Sequence, residues 1–410
     1  MHHPLTNLAR LGLVAGIIGV VSSTVFLVLA LIASRVFRRQ AAARQRHADS
    51  IDLDLFPPVT VLKPLHGAEP NLESNLETFF LQDYPDYEIV FGCRTSDDQA
   101  LVAVDRLRAK YPYIKVRVVL SGHPAWPNAK VYSLAKMIAG SANDYFVISD
   151  SDINVRPEFL RNVIAPLLEP QNGLVTCVYR GISAGDFWSE LEALGMSVEL
   201  PSGVMTANML EGMKFALGAV MAVRRDALEK IGGIGETRDY YSDDFVLGNL
   251  VAERSGLNVV LSHHTRVGHV LTTQTLRQTF KTQLRWMQST RYSRPKGHLG
   301  TGLTFSMPFG ILGLVSAGAL GLWPLGWTLF LWSYLNRVVQ AVAVGYALIG
   351  DRRALTGALL YPVRDLLGFV VWVCSYLGGN TFNWRGELYQ FTPGGRIVPA
   401  TRKVEEAVTA

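Results

Sequence analysis

An α/β domain built on a mostly parallel sheet, with apolar membrane helices at both ends of the chain, is the fold class that the sequence predicts. Three observations carry it: strand and helix patterns alternate between Pro57 and Ser149, an uncharged apolar run opens the chain, and apolar character returns after Gly300. Composition agrees. Of 410 residues, 49% are hydrophobic and 18% charged, against the ~25% charged residues of ordinary soluble domains. That balance excludes a simple soluble enzyme and a disordered chain, and three cysteines cannot build a disulfide framework. Cys93, Cys177 and Cys374 sit in apolar runs without a second Cys or His at ligand spacing, and read as buried core thiols.

The elements follow in order. Residues 11–33 carry no charge, a length that meets the ~20 residues needed to cross a bilayer core. The run is too long, and too strongly followed by arginine, for a cleaved signal peptide, so residues 1–39 read as a retained anchor. Arg35, Arg38, Arg39, Arg44 and Arg46 follow it, and such a flank stays in the cytoplasm. Residues 40–56 are polar and read as an irregular linker. Strand patterns at 59–62, 87–93, 114–120 and 145–149 then alternate with helical spacing at 71–82, 98–110 and 130–138. That alternation implies βαβ units and a parallel sheet covered on both faces. Ligands in such sheets bind beyond the carboxyl ends of the strands, which directs attention to Lys63, to residues 94–98 and to residues 150–152.

The catalytic domain is expected over 57–298 and transmembrane or interfacial helices over 299–378. Residues 303–325 and 327–349 predict a hairpin of spans. Residues 354–377 carry Pro362, Arg364 and Asp365, and read as a kinked span or an interfacial segment. Asn336 and Arg337 require partners or a cavity, because charge within a span is costly. Residues 379–410 read as a tail. The net charge of +5 arises beside the apolar segments, where Lys281, Arg285, Arg291, Arg294 and Lys296 precede the second of them. A bilayer surface, and no nucleic acid, is the expected partner.

Chemistry concentrates in acidic pairs. Asp150-Ser151-Asp152 follows an apolar strand, and two carboxylates so spaced can converge on Mg²⁺ or Mn²⁺ together with phosphate oxygens of a substrate; the bland reading is a solvated turn. Asp97-Asp98 and Asp243-Asp244 stand at helix starts, where capping is the alternative. A nucleotide-sugar enzyme needs such a set: one acid for the nucleoside, one pair for metal and diphosphate, one base for the attacking hydroxyl. Lys63 and Lys130 are phosphate contacts or merely solvated. His263, His264 and His269 lack an acidic partner in register and read as surface or core histidines. Met196, Met205, Met209 and Met213 read as core, with an acceptor groove or interfacial helix as the alternative.

The run Pro57 to Gly67, the Gln82-Asp-Tyr-Pro85 turn, Asn128-Ala-Lys130, Asp150-Ser-Asp152, Asp243-Asp244-Phe245 and Gln283-Leu-Arg-Trp286 together resemble the ceramide glucosyltransferase family, and most are shared with bacterial hopanoid-associated glycosyltransferases. The resemblance reaches from the anchor to Trp384-Arg385-Gly386. It implies a GT-A type, Rossmann-like domain, a UDP-sugar donor, a divalent metal and inversion at the anomeric carbon. Carried over by position, Asp98 helps hold the nucleotide, with Lys63, Lys130 and Gln283 beside it. Asp150 and Asp152 hold metal and diphosphate, Asp244 is the base, and Arg285 with Trp286 closes over donor and acceptor. Two departures stand out: Thr282 occupies the family's Gln or Arg position, with Gln283 one residue closer, and Asp243 and Phe245 replace a frequent Glu and Tyr. Transfer of glucose to ceramide is the first expectation and of N-acetylglucosamine to a hopanoid polyol the second. A processive synthase or a non-catalytic membrane protein ranks behind. A bacterial inner membrane, or an endomembrane, is the expected location, with the catalytic domain facing the cytoplasm.

Overall fold

The structure, a computed structural model, describes residues 4–264, 267–273, 275–384 and 387–400. The first half runs α1 (Pro4–Ser50), β1 (Val59–Pro64), α2 (Leu72–Phe80), β2 (Tyr87–Cys93), α3 (Ala100–Lys110), β3 (Lys115–Leu120), α4 (Ala129–Ala139) and β4 (Tyr145–Ser149). Next come β5 (Ile153–Asn154), α5 (Phe159–Ile164), β6 (Asn172–Thr176), β7 (Tyr179–Ile182), α6 (Phe187–Glu211), β8 (Val220–Arg224) and α7 (Arg225–Lys230). The chain continues with α8 (Asp243–Arg254), β9 (Asn258–Leu261), β10 (Val267–Val270), α9 (Leu276–Ser293), α10 (Pro295–Gly302), α11 (Met307–Ala319) and α12 (Trp323–Gln340). It closes with α13 (Arg352–Thr356), α14 (Tyr361–Leu377), β11 (Thr381–Trp384), β12 (Glu387–Thr392) and β13 (Arg396–Pro399).

The central sheet has the order β3-β2-β1-β4-β8-β6-β9, with β8 antiparallel to its neighbours β4 and β6. This is the mostly parallel, Rossmann-like arrangement of a GT-A domain. Val59, Val61 and Leu62 of β1 and Phe146 to Ile148 of β4 are fully buried, the continuous apolar text of strands covered on both faces. Leu62 pairs with Ile148, so the chain leaves β1 at Lys63 beside the exit of β4 at Ser149. A second sheet has the order β5-β10-β7, and its β5 directly follows the turn after β4.

Two expectations are corrected. Residues 40–50 continue α1 instead of forming an irregular linker, because Ala, Arg and Gln are strong helix formers despite their polarity. Arg44 Nη1 donates to the Leu261 carbonyl at 2.8 Å and Gln45 Nε2 to Asn162 Oδ1 at 3.3 Å, seating this end on the domain. The tail is also structured: β11 to β13 form an antiparallel sheet whose Phe382, Trp384 and Phe391 pack around Tyr241. Arg385 and Gly386 lie outside the described residues. Among the described residues α1 alone is long and apolar enough to cross a bilayer, while α10 and α11 meet that test only as a pair bent by 46°. The expected hairpin is built from the 13-residue α11 and the 18-residue α12.

Glycines bring the anchor close. A Cβ on Gly16 would stand 2.9 Å from the Gly313 backbone, and one on Gly19 would enter the Phe309 ring, so α1 and α11 meet backbone to backbone as small-residue helix pairs do. The charges that the sequence left unexplained are paired. Arg337 Nη1 meets Asp365 Oδ1 at 3.2 Å with both side chains 3% exposed, and Asp365 Oδ2 accepts from the Ser306 and Met307 amides that start α11. Arg364 Nη2 meets Glu199 Oε2 at 3.0 Å.

Candidate active site

Lys63 is completely buried at the end of β1, where Nζ donates to Ser149 Oγ at 3.1 Å and to the Asp150 carbonyl. It also lies 3.8 Å from the centre of the Phe79 ring. Burial outweighs the nearby carboxylates and lowers its pKa to about 7. The lysine expected at a phosphate thus anchors the turn that carries Asp150. Lys130, one residue into α4, reaches Asp150 Oδ1 at 2.7 Å and Asp243 Oδ2 at 3.9 Å. Burial favours its neutral form, but Asp150 and Asp243 win and raise its pKa. Asn128 explains why α4 starts there: its Oδ1 caps the Val131 amide while Nδ2 donates to the Tyr240 carbonyl and to Asp243 Oδ1 at 3.2 Å. The Asn-Ala-Lys motif is therefore a clasp between β4 and α8.

Asp152 lies on the other side of that turn. Its Oδ2 is 3.4 Å from His269 Nε2, and its Oδ1 is buried without a hydrogen-bond partner. His269 arrives because β10 pairs antiparallel with β5, opposing His269 to Ile153; its ring stacks on Tyr179 at 5.6 Å. Among the described residues no set of three His, Cys, Asp or Glu is arranged to hold a metal ion unaided. Mg²⁺ at phosphate sites commonly takes one or two carboxylates with substrate oxygens completing its shell. Asp150 and Asp152, with the partnerless Oδ1, fit such a site.

The two acids that open α8 diverge. Asp243 is buried between Asn128 and Lys130, whereas Asp244 faces a cavity of about 530 Å³. Burial first, then the Asp243 charge, raises the Asp244 pKa to about 7. Gly218 leaves it room, since a Cβ there would stand 2.9 Å from Asp244 Oδ2. Gln283 and Trp286 from α9 line the same cavity, as do Phe26 of α1 and Tyr179. Helix α9 begins at a capping box in which Thr275 and Gln278 satisfy each other's backbone. Arg285 does not line the cavity, and its guanidinium lies 6.0 Å from the centre of the Tyr241 ring. Asp98 stands farther along the sheet edge, where Oδ1 accepts from the Gly67 and Ala100 amides, each at 2.9 Å.

Residues 17–397 match the model of glycosyl transferase family 21. The chain belongs to this family. It is a glycosyltransferase, and ceramide glucosyltransferase 1 of Caenorhabditis elegans is 23% identical to it over 364 residues, covering 86% of this chain and 76% of the relative. Ceramide glucosyltransferase 3 of the same nematode is 22% identical over 356 residues, covering 84% and 75%. Among solved structures, the mannosyltransferase PcManGT from Pyrobaculum calidifontis in complex with GDP-Man and Mn²⁺ aligns with 18% identity and a TM-score of 0.47, covering 88% of this chain and 99% of that one.

In this glycosyltransferase, Asp150, Lys130 and Asp243 form one linked cluster, and Asp244, Gln283 and Trp286 share one cavity. Two residues were missed from sequence. His269 was read as lacking an acidic partner, but strand pairing supplies Asp152 from far away in the chain. Tyr179 carried no motif, yet burial and the Asp244, Asp150 and Asp152 charges raise its pKa. His263 and His264 are core histidines as expected, sharing Asn162 between them. Of the methionines, Met205 and Met213 are core, while Met196 is buried and also touches the cavity. Cys93 and Cys177 are buried, and Cys374 is half-buried.

Proposed function

We propose that the protein transfers glucose from UDP-glucose to the primary hydroxyl of ceramide at a membrane surface, with inversion at the anomeric carbon. The observation that carries this reading is Asp244: a half-buried carboxylate raised to about 7, in the wall of a cavity that the anchor helix also lines through Phe26. A base for a lipid hydroxyl must titrate near the working pH and sit where a lipid can arrive. The names of the two nematode relatives support ceramide as acceptor and glucose as the sugar.

In this mechanism Asp244 takes the proton of the acceptor hydroxyl as its oxygen attacks the anomeric carbon and the bond to the diphosphate breaks. Asp150 and Asp152 would hold Mg²⁺ or Mn²⁺ against the diphosphate; the ion, when bound, neutralises charge on the leaving group. Lys130 keeps Asp150 and Asp243 oriented before the donor arrives, and Asp98 holds the nucleoside. Lys63 stiffens the metal-binding turn from beneath. Trp286 and Gln283 border the acceptor, and Arg285 swings from Tyr241 toward the diphosphate when the site closes, adding a fixed positive charge in a water-poor cleft. Residues 57–298 form the catalytic domain on the cytoplasmic face of a bacterial inner membrane or an endomembrane, in keeping with the arginines that follow residue 33.

The test uses purified protein in nanodiscs with Mn²⁺. UDP-glucose and ceramide should give UDP and glucosylceramide by mass spectrometry. Product only from UDP-N-acetylglucosamine and a hopanoid polyol would reassign both substrates.

A further inference from the structure

The cavity beside Asp244 extends to a second group of polar side chains, contributed by α6, α12 and α14: Glu199, Gln340, Tyr361 and Arg364 all line it. Each of the four presents an atom that is buried without a hydrogen-bond partner. These are Glu199 Oε1, Gln340 Oε1, Tyr361 Oη, and both Nε and Nη1 of Arg364. Tyr361 is fully buried, Gln340 is 1% exposed and Arg364 8%. Leaving such groups unsatisfied is costly in an apolar setting, and here the side chains that carry the orphans all line one space.

Their orientations are fixed by the remaining bonds. Ser202 Oγ donates to the Val198 carbonyl at 2.6 Å, so it accepts from Gln340 Nε2 at 2.9 Å, which turns Gln340 Oε1 away as an acceptor. Glu199 holds Arg364 through Oε2 and Nη2, leaving Nε and Nη1. Two glycines of the cavity wall leave room beside them: a Cβ on Gly195 would stand 2.5 Å from Nε and one on Gly368 3.2 Å from Nη1. The wall therefore offers two acceptors, two guanidinium donors and a hydroxyl that serves as either. Its charge discriminates too: Arg337 and Arg364 are each matched by Asp365 and Glu199, and Glu192 adds a further carboxylate. A phosphate would meet repulsion here.

We infer that this wall is the recognition site for the amide and secondary hydroxyl of an N-acyl amino-diol lipid, with Arg364 donating to the acyl carbonyl, Gln340 or Glu199 accepting from the amide N–H, and Tyr361 bonding the hydroxyl. The inference rests on the proposed lipid acceptor and adds the residues that select it over a lipid with no amide. The rest of the cavity, where Leu200, Val204 and Phe305 stand, takes the start of the hydrocarbon chains.

Direct binding tests it without requiring turnover. A fluorescent short-chain ceramide and a diacylglycerol of matched chains are titrated into full-length protein in nanodiscs, by anisotropy. Wild type should prefer the ceramide by at least about tenfold, as a site built on hydrogen bonds does. Tyr361→Phe removes an oxygen that has no protein partner, so thermal unfolding should stay unchanged while ceramide affinity falls about tenfold and diacylglycerol affinity does not. Arg364→Lys keeps a charge for Glu199 but loses the planar donors, and should abolish most of the preference. Equal binding of both lipids to wild type, or unchanged ceramide affinity in Tyr361→Phe, overturns the assignment. Selective ceramide binding with no product on adding UDP-glucose would instead sink the proposed reaction and leave this site standing.

Discussion

Two clusters of charge flank the same cavity, and they are built in opposite ways. At the carboxyl edge of the sheet, Asp150, Asp243 and Asp244 gather around Lys130, with Asp152 across the turn beside His269 and Lys63 buried beneath. Acids outnumber bases, one carboxylate oxygen has no partner, and both Lys63 and Asp244 are displaced to about 7. Between the helices, Arg337 and Asp365 are matched one to one, almost wholly buried, and tied to the α11 backbone. The first cluster is strained by its own charge and is relieved by a cation or a proton. The second is already closed and holds helices in register. An unmatched excess of acid, rather than burial of charge as such, separates the first cluster from the second.

Variants can break that distinction. The largest effect is expected from Asp150→Asn or Asp152→Asn, each lowering transfer by roughly 10³-fold with unfolding in detergent unchanged; near-normal rates in the double variant with chelator present would remove the metal from the scheme. Asp244→Asn should retain UDP-glucose affinity and lose about 10²-fold or more in turnover, whereas Asp243→Asn should mainly loosen the Asn128 and Lys130 clasp. A dead Asp243→Asn beside an active Asp244→Asn would exchange the two roles. In the other cluster, Asp365→Asn leaves Arg337 buried and unmatched, and should destabilise the fold by about 3 to 5 kcal/mol, read by denaturation in micelles. If it instead lowers the rate of a fully stable protein, the structural reading fails.

Gly218→Ala places a Cβ against Asp244 Oδ2 and should reduce turnover roughly tenfold by displacing the base, with acceptor affinity little changed. The smallest effect is the most diagnostic. Because the Asp244 carboxyl is raised to about 7, its ionised fraction climbs as pH rises through that value, so turnover should increase severalfold between about pH 6 and about pH 8. An unshifted aspartate, near ~4, would already be ionised throughout and give a flat profile.

The βαβ rhythm was legible because its strands are buried on both faces and its helices are amphipathic, so local hydrophobicity reports them; the strand patterns at 87–93 and 145–149 match β2 and β4 residue for residue. The acid pairs were legible because they fall where such strands and helices end. Local text misled where polarity stood in for an irregular linker, as in residues 40–50. Position along the chain determined which acids stand at the sheet edge and that an apolar helix leads into it. Only the tertiary structure decided that Lys63 lies under the site instead of in it, that His269 meets Asp152, that Asp244 rather than Asp243 faces the cavity, and that Arg337 finds Asp365. Each of those facts depends on a contact between segments distant in sequence, and a contact of that kind leaves no period, spacing or composition by which a single chain could announce it.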